Sequence, residues 1–179
     1  LAYARNKNFK RVALITDNSD LGQLNSRFFK AGLEASKIQV VSEEVVPMGT
    51  TTADPQMQKV RAANPDALFM AGVTTPENTQ VLRSYRQLGL KIPVLASYNL
   101  SIPVYPVVAK GLLDGVAFVD AFDPAKPQTQ QFIESYKKDT GNEPYNLNGY
   151  GYDGIMLVAD AIKRAGSTDK EKVREAMQA

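Results

Sequence analysis

Residues 64–97 read Asn64-Pro65-Asp66, the apolar run Ala67-Leu68-Phe69-Met70-Ala71-Gly72, a break at Val73-Thr74-Thr75-Pro76-Glu77, a helical pattern as far as Gly89, and then Ile92-Pro93-Val94-Leu95-Ala96-Ser97. The stretch reads as strand, loop, helix, strand. The first apolar run has no polar alternation, as expected of a strand covered on both faces in a parallel sheet. Thr75-Pro76 has the form of a helix start, a hydroxyl cap followed by proline at the first helical position. Val81, Leu82, Tyr85 and Leu88 recur at helical spacing, and Gly89 stops the helix. The Gly-Val-Thr-Thr loop at the strand's C-terminal end places small groups and hydroxyls where open α/β sheets bind ligands.

The same alternation extends outward. Residues 11–17 form a buried strand, followed by the loop Asn18-Ser19-Asp20 and a helix over about 21–36. The expected inner face of that helix is Leu21, Leu24, Phe28, Gly32 and Ala35. Residues 38–46 alternate partly, as a strand near a sheet edge does. Asp54-Pro55 opens a helix carrying Met57, Val60 and Arg61, and Gly115–Val119 supplies a fifth strand. Five strands alternating with helices imply right-handed crossovers and a doubly wound α/β sheet.

Beyond residue 119 the pattern changes. A proline-rich connector over 122–127 leads into three helical segments, about 128–140, 147–165 and 168–178. Ile155, Val158, Ala159 and Ile162 make an apolar stripe on the middle one, and Thr168 with Glu171 matches a capping box for the last. A boundary therefore falls near Asp120, dividing the chain into 1–119 and 120–179.

Composition removes several function classes. The 179 residues contain no Cys and no His, so thiolate nucleophiles, Cys-ligated metals and the commonest general base are missing. A net charge of +2 is too small to argue for nucleic acid, and Arg5, Lys7, Lys10 and Arg11 read as a solvated helix end. The turn Asp17-Asn18-Ser19-Asp20-Leu21-Gly22 has one glycine beside two carboxylates, which suits no phosphate. A receiver domain would need a phosphorylatable Asp at the end of the third strand, where Ala71-Gly72 stands. Asp17 and Asp20 read as a loop-and-cap arrangement, with Asp20 or Ser19 accepting backbone N–H bonds at the helix start. We expect no enzyme activity, metal or cofactor. Among Tyr145, Tyr150 and Tyr152, Tyr150 is the best ligand-facing candidate, and Tyr98 and Asn99 follow the fourth strand at the ligand-facing end.

Five segments carry a family resemblance: 11–22 (RVALITDNSDLG), 62–72 (AANPDALFMAG), 82–91 (LRSYRQLGLK), 109–115 (AKGLLDG) and 152–168 (YDGIMLVADAIKRAGST). Their order and spacing resemble the type I periplasmic solute-binding proteins, specifically the branched-chain amino-acid (Leu/Ile/Val) family of ABC importers. The resemblance implies two α/β lobes that enclose a ligand. Residues 1–119 would be most of the second lobe, with flavodoxin-like strand order 2-1-3-4-5, and 120–179 an incomplete helical part of the first. It further implies a periplasmic location, or an extracellular lipid-anchored one in a Gram-positive source, and a signal peptide in the parent. The implied partners are a small-molecule ligand and the importer's membrane permease, with no nucleic acid; the stripe on the middle helix is expected either to pack back on the body of residues 1–119 or to meet another chain, with self-association or an exchanged helical tail preferred. The candidate ligand-binding residues are Asn18, Leu21, Thr74, Thr75, Tyr98 and Tyr150.

Two of these, Leu21 and Tyr98, depart from the family pattern, and Thr74 or Thr75 fits it. Leu21 stands where relatives often carry an aromatic residue, Thr74 or Thr75 takes the polar or aromatic position after the third strand, and Tyr98 replaces an acidic residue that holds the substrate ammonium. The last departure favours an aromatic or aliphatic carboxylate, or another amino-free metabolite, over a free branched-chain amino acid. The alternatives from other classes are a cytoplasmic ligand-sensing regulator domain of the same architecture and, third, an enzyme.

Overall fold

In the computed structural model, residues 1–73, 75–102, 109 and 111–179 are described, with the backbone alone at Thr75. They divide into two compact units, Leu1–Asp120 and Ala121–Ala179. Among the described residues the first unit holds one five-stranded, all-parallel sheet: β1 (Arg11–Asp17), β2 (Gln39–Val46), β3 (Ala67–Met70), β4 (Val94–Ala96) and β5 (Val116–Phe118), in the order β2-β1-β3-β4-β5. The expected 2-1-3-4-5 order is thus observed, and the partly alternating β2 is an edge strand.

Among the described residues the helices of this unit are a short α1 (Ala2–Asn6), α2 (Asp20–Ala35), α3 (Asp54–Ala63) and α4 (Thr75–Gln87), with a 3-10 turn at Tyr98–Ser101. The apolar content of β1 and β3 is explained by cores on both sheet faces. On one face Ala13, Ile15, Leu68 and Met70 meet Met57 and Val60 of α3 and Val81, Leu82 and Tyr85 of α4. On the other, Val12, Leu14, Ala67 and Phe69 meet Ala4 of α1 and Leu33 of α2, with Phe29 beside them. Each large apolar side chain fully buried there contributes about 1.5–3 kcal/mol. Gly89 ends α4 at φ +68°, the left-handed backbone that the sequence reading required of it.

One expectation about α2 is overturned. Leu21, Leu24 and Phe28 are exposed, at 48%, 46% and 68%, and Ala35 is exposed as well; the buried positions are Gly22, Ser26 and Leu33. The cause lies at the helix start. A Cβ at residue 22 would stand 2.5 Å from the backbone carbonyl oxygen of Asp17, so only a glycine lets the first turn approach β1 this closely. That contact fixes the rotation of α2 and sends the more apolar stripe outward.

The second unit comprises α5 (Pro127–Thr140), α6 (Asn146–Ala165) and α7 (Lys170–Gln178). Asp169, and not Thr168, caps α7: its carboxylate accepts from Lys172 N at 3.2 Å. Thr168 lies one residue too early for the role. Phe122 stacks edge-on to Phe132 at 6.2 Å, and Phe132 meets Tyr152 at 5.0 Å. Along α6, Ile155, Val158 and Ala159 are exposed and Ile162 is half-buried, so most of the apolar stripe faces solvent.

Candidate functional site

The C-terminal ends of β1, β3 and β4 converge on one rim, because the strands are parallel and lie side by side. In such sheets loops, unlike the strands, are free to vary, and ligands bind outside these ends. The β1–α2 loop is held from within. Asp17 is fully buried, and its Oδ1 accepts from the Ser19 backbone N–H at 3.0 Å and from the Ser19 hydroxyl. Ser19 Oγ in turn accepts from Gly22 N at 3.0 Å as the cap of α2. Of the two expected cap acceptors it is Ser19 that acts, with Asp17 locking it in place.

Asn18 Oδ1 accepts from Met48 N at 2.8 Å, which ties this loop to the turn after β2. That turn is tied again from the other side, where Gly49 N donates to Glu77 Oε1 at 2.7 Å. Glu77 stands in the first turn of α4 and is 3% exposed, so its charge sits at the positive end of the helix dipole. Its neighbour Asn78, also buried, donates from Nδ2 to Val73 O at 2.7 Å, and Asn99 Nδ2 donates to the same carbonyl at 3.3 Å. Gly72 carries φ +97°, and a Cβ there would lie 2.6 Å from Asn25 Nδ2 of α2. The loops after β1, β2, β3 and β4 are therefore linked by polar side chains, of which Glu77 and Asn78 are buried, Asn99 is half-buried and Asn18 is exposed, a preorganised arrangement for a ligand-facing surface.

Of the candidates named from sequence, Asn18, Leu21 and Tyr98 lie on this rim, Leu21 in the first turn of α2 and Tyr98 directly after β4. Asn18 is engaged in bracing Met48. Leu21 and Tyr98 present exposed surface, Tyr98 to 37%. Thr75 opens α4, and Thr74 lies outside the described residues. Tyr150 belongs to the second unit, where it lines an open groove of about 310 Å³ with Phe122, Phe132, Tyr152 and Asp153. Glu77 and Asn78 were missed by the sequence reading, whereas Asn99, like Tyr98, was expected at the ligand-facing end after the fourth strand. The available signal was the polar pair Glu77-Asn78 immediately inside a helix start, where acid and amide groups satisfy backbone. Among the described residues no cluster of carboxylates suited to a metal ion is present.

The profile of the family described as periplasmic binding protein matches residues 1–179. The chain belongs to that family. Among curated relatives, it is 25% identical over 177 residues to the Leu/Ile/Val-binding protein BraC3 of Rhizobium johnstonii, covering 96% of this chain and 47% of the relative. Among solved structures, the leucine binding protein LivK of Thermotoga maritima superposes with a TM-score of 0.86 at 32% identity, covering 97% of this chain and 50% of that one. A branched-chain amino acid ABC transporter protein of Rhodospirillum rubrum, described as putative in its structure's name, gives 0.83 at 25% identity, with 98% and 51% covered. This chain thus spans about half the length of the family members it matches.

Proposed function

We propose that this chain acts as part of the solute-binding component of an ABC-type importer, capturing a small carboxylate at the rim formed by β1, β3 and β4. Residues 1–119 supply most of one lobe, and 120–179 contribute to the other. The observation that carries the reading is the braced rim, in which buried Asp17, Glu77 and Asn78 hold three loops while Leu21 and Tyr98 present apolar and phenolic surface. Family membership and the names of the relatives support it. The location is periplasmic or extracellular, and the working partner is the importer's permease.

The ligand class follows from the charges at the rim. Glu77 Oε1 accepts from Gly49 N and Asp17 Oδ1 from Ser19, and both residues are buried, which disfavours either as the partner of a ligand ammonium. Tyr98 can stack on an apolar or aromatic body and donate one hydrogen bond to a carboxylate or carbonyl. The preferred ligand is an aliphatic or aromatic carboxylate without a free amino group. Branched-chain amino acids are the second reading, favoured by the names of the relatives. A thermal-shift screen of the longer protein with leucine, isoleucine, valine and their amino-free analogues separates the two. Stabilisation by the amino-free acids supports the first reading, stabilisation by the three amino acids alone overturns it in favour of the second, and silence from every small carboxylate overturns both.

A further inference from the structure

The outward face of α2 is laid out as a seam. Leu21, Leu24, Phe28, Ala31 and Ala35 follow one another at spacings of three, four, three and four residues, and all five are exposed. This is the narrow a/d pattern of a helix that packs lengthwise against another helix. The seam is bulky at the helix start and small at its end, a gradient that an antiparallel copy of itself would complement.

We infer that this face pairs two copies of the chain through a two-fold, antiparallel α2–α2 contact. In the register that sets Phe28 over the partner's Ala31 and Leu24 over the partner's Ala35, each of these two large side chains meets a small one, and Leu21 falls beyond the end of the partner's α2. The same register brings Arg27 beside the partner's Glu34 and, by symmetry, Glu34 beside the partner's Arg27. Both residues are exposed and flank the seam on one side. They are seven positions apart on one helix, about 10 Å, so they are too distant to pair within a chain.

Charge selects this register over its neighbour. Slipping by one heptad would set Leu24 over the partner's Phe28, but would place Arg27 against the partner's Arg27, Asp20 against the partner's Glu34 and, by symmetry, Glu34 against the partner's Asp20, three like-charge encounters. A parallel pair would stack Phe28 on the partner's Phe28 and leave Arg27 facing the partner's Gly32, with no ion pair. Self-complementarity of this kind, in which residue i meets j and j meets i, is what a two-fold interface requires. A helix of 16 residues is about 24 Å long and buries less than a standard interface, so the dimer is weak, with a Kd of about micromolar or weaker.

The chain has no cysteine, which permits a clean test. Equal amounts of the single variants Leu24→Cys and Ala35→Cys are mixed and oxidised, and the linked species is read on a non-reducing gel. We expect a disulfide-linked heterodimer from this mixture and little from either variant alone. The mixture of Leu21→Cys with Ala31→Cys, which reports the slipped register, should link poorly. Cross-linking is the readout because α6 carries its own exposed apolar row, which could raise the mass without involving α2. A second arm uses sedimentation: Arg27→Glu or Glu34→Arg alone should weaken the dimer about tenfold, and the double exchange should restore it. All the substituted side chains are exposed, and circular dichroism verifies that each variant is folded. Linking in the slipped mixture and not in the first, equal linking in all mixtures, or no rescue by the charge exchange would each overturn the pairing.

Discussion

Replacing Gly22 by alanine tests how the site is built. The added Cβ would lie 2.5 Å from the Asp17 carbonyl oxygen and closer still to its Oδ1, where ordinary contact begins near 3.4 Å. The first turn of α2 must retreat by close to an ångström, which weakens the Gly22 N–Ser19 Oγ bond and frees the Asn18–Leu21 loop. Overpacking of this kind costs about 1–3 kcal/mol, and alanine's better helix propensity returns up to about 1 kcal/mol. The net loss is about 1–2 kcal/mol. Gly151 on α6 is the matched control, because a Cβ there meets nothing within 4 Å and its backbone is ordinary helix. Gly151→Ala should therefore stabilise by about 0.5–1 kcal/mol. Hydrogen exchange read by mass spectrometry resolves the two units separately. Peptides from β1 and α2 should exchange about 5–30 times faster in Gly22→Ala, and those of α6 more slowly in Gly151→Ala. Unchanged or increased protection of β1 and α2 in Gly22→Ala would refute the close-approach argument.

Two further outcomes are expected. Asp66 Oδ2 accepts from the backbone N–H groups of Lys10 and Arg11 at 2.7 and 2.8 Å, and these bonds hold its carboxyl below the usual range. A lowered folded-state pKa adds stability above the ordinary carboxylate value and loses it as pH falls through the folded one. Asp66 is exposed, so solvent screens this contribution: the stability gap between the chain and Asp66→Ala should be under about 1 kcal/mol near pH 7 and narrow as pH falls below about 4, as read by urea unfolding across pH; a gap independent of pH would contradict this. This chain alone should bind the ligand at least about 100-fold more weakly than the longer protein, a difference of about 2.7 kcal/mol, because it retains only part of the contacts; equal affinities by calorimetry would remove the incomplete-cleft reading.

The sheet was legible because its signals are local and redundant. The unbroken apolar run of β3 announces a strand covered on two faces, and both faces are indeed covered. Proline at the starts of α3 and α4 and Gly89 at the end of α4 mark boundaries by backbone sterics, which need no tertiary information. The inward face of α2 was misread for the opposite reason. Apolar residues lie on both sides of that helix, and the choice between them is made by a single close approach at Gly22. The rim residues Leu21 and Tyr98 could be placed from strand ends alone. Glu77 and Asn78 could not, since their roles depend on an N–H group and a carbonyl that only the folded loops bring to them.

The central claim is that a small carboxylate is captured at the rim beside Tyr98. Its most direct measurement is titration calorimetry of the longer protein with the ligand found by thermal shift, repeated with Tyr98→Ala. Tyr98 is partly exposed and sits after β4, so its loss should leave the fold intact while removing a stacking face and a hydrogen-bond donor. The account predicts saturable binding that weakens by about 10–100-fold in the variant, equivalent to about 1.4–2.7 kcal/mol. Binding of undiminished affinity in a folded Tyr98→Ala protein would contradict it.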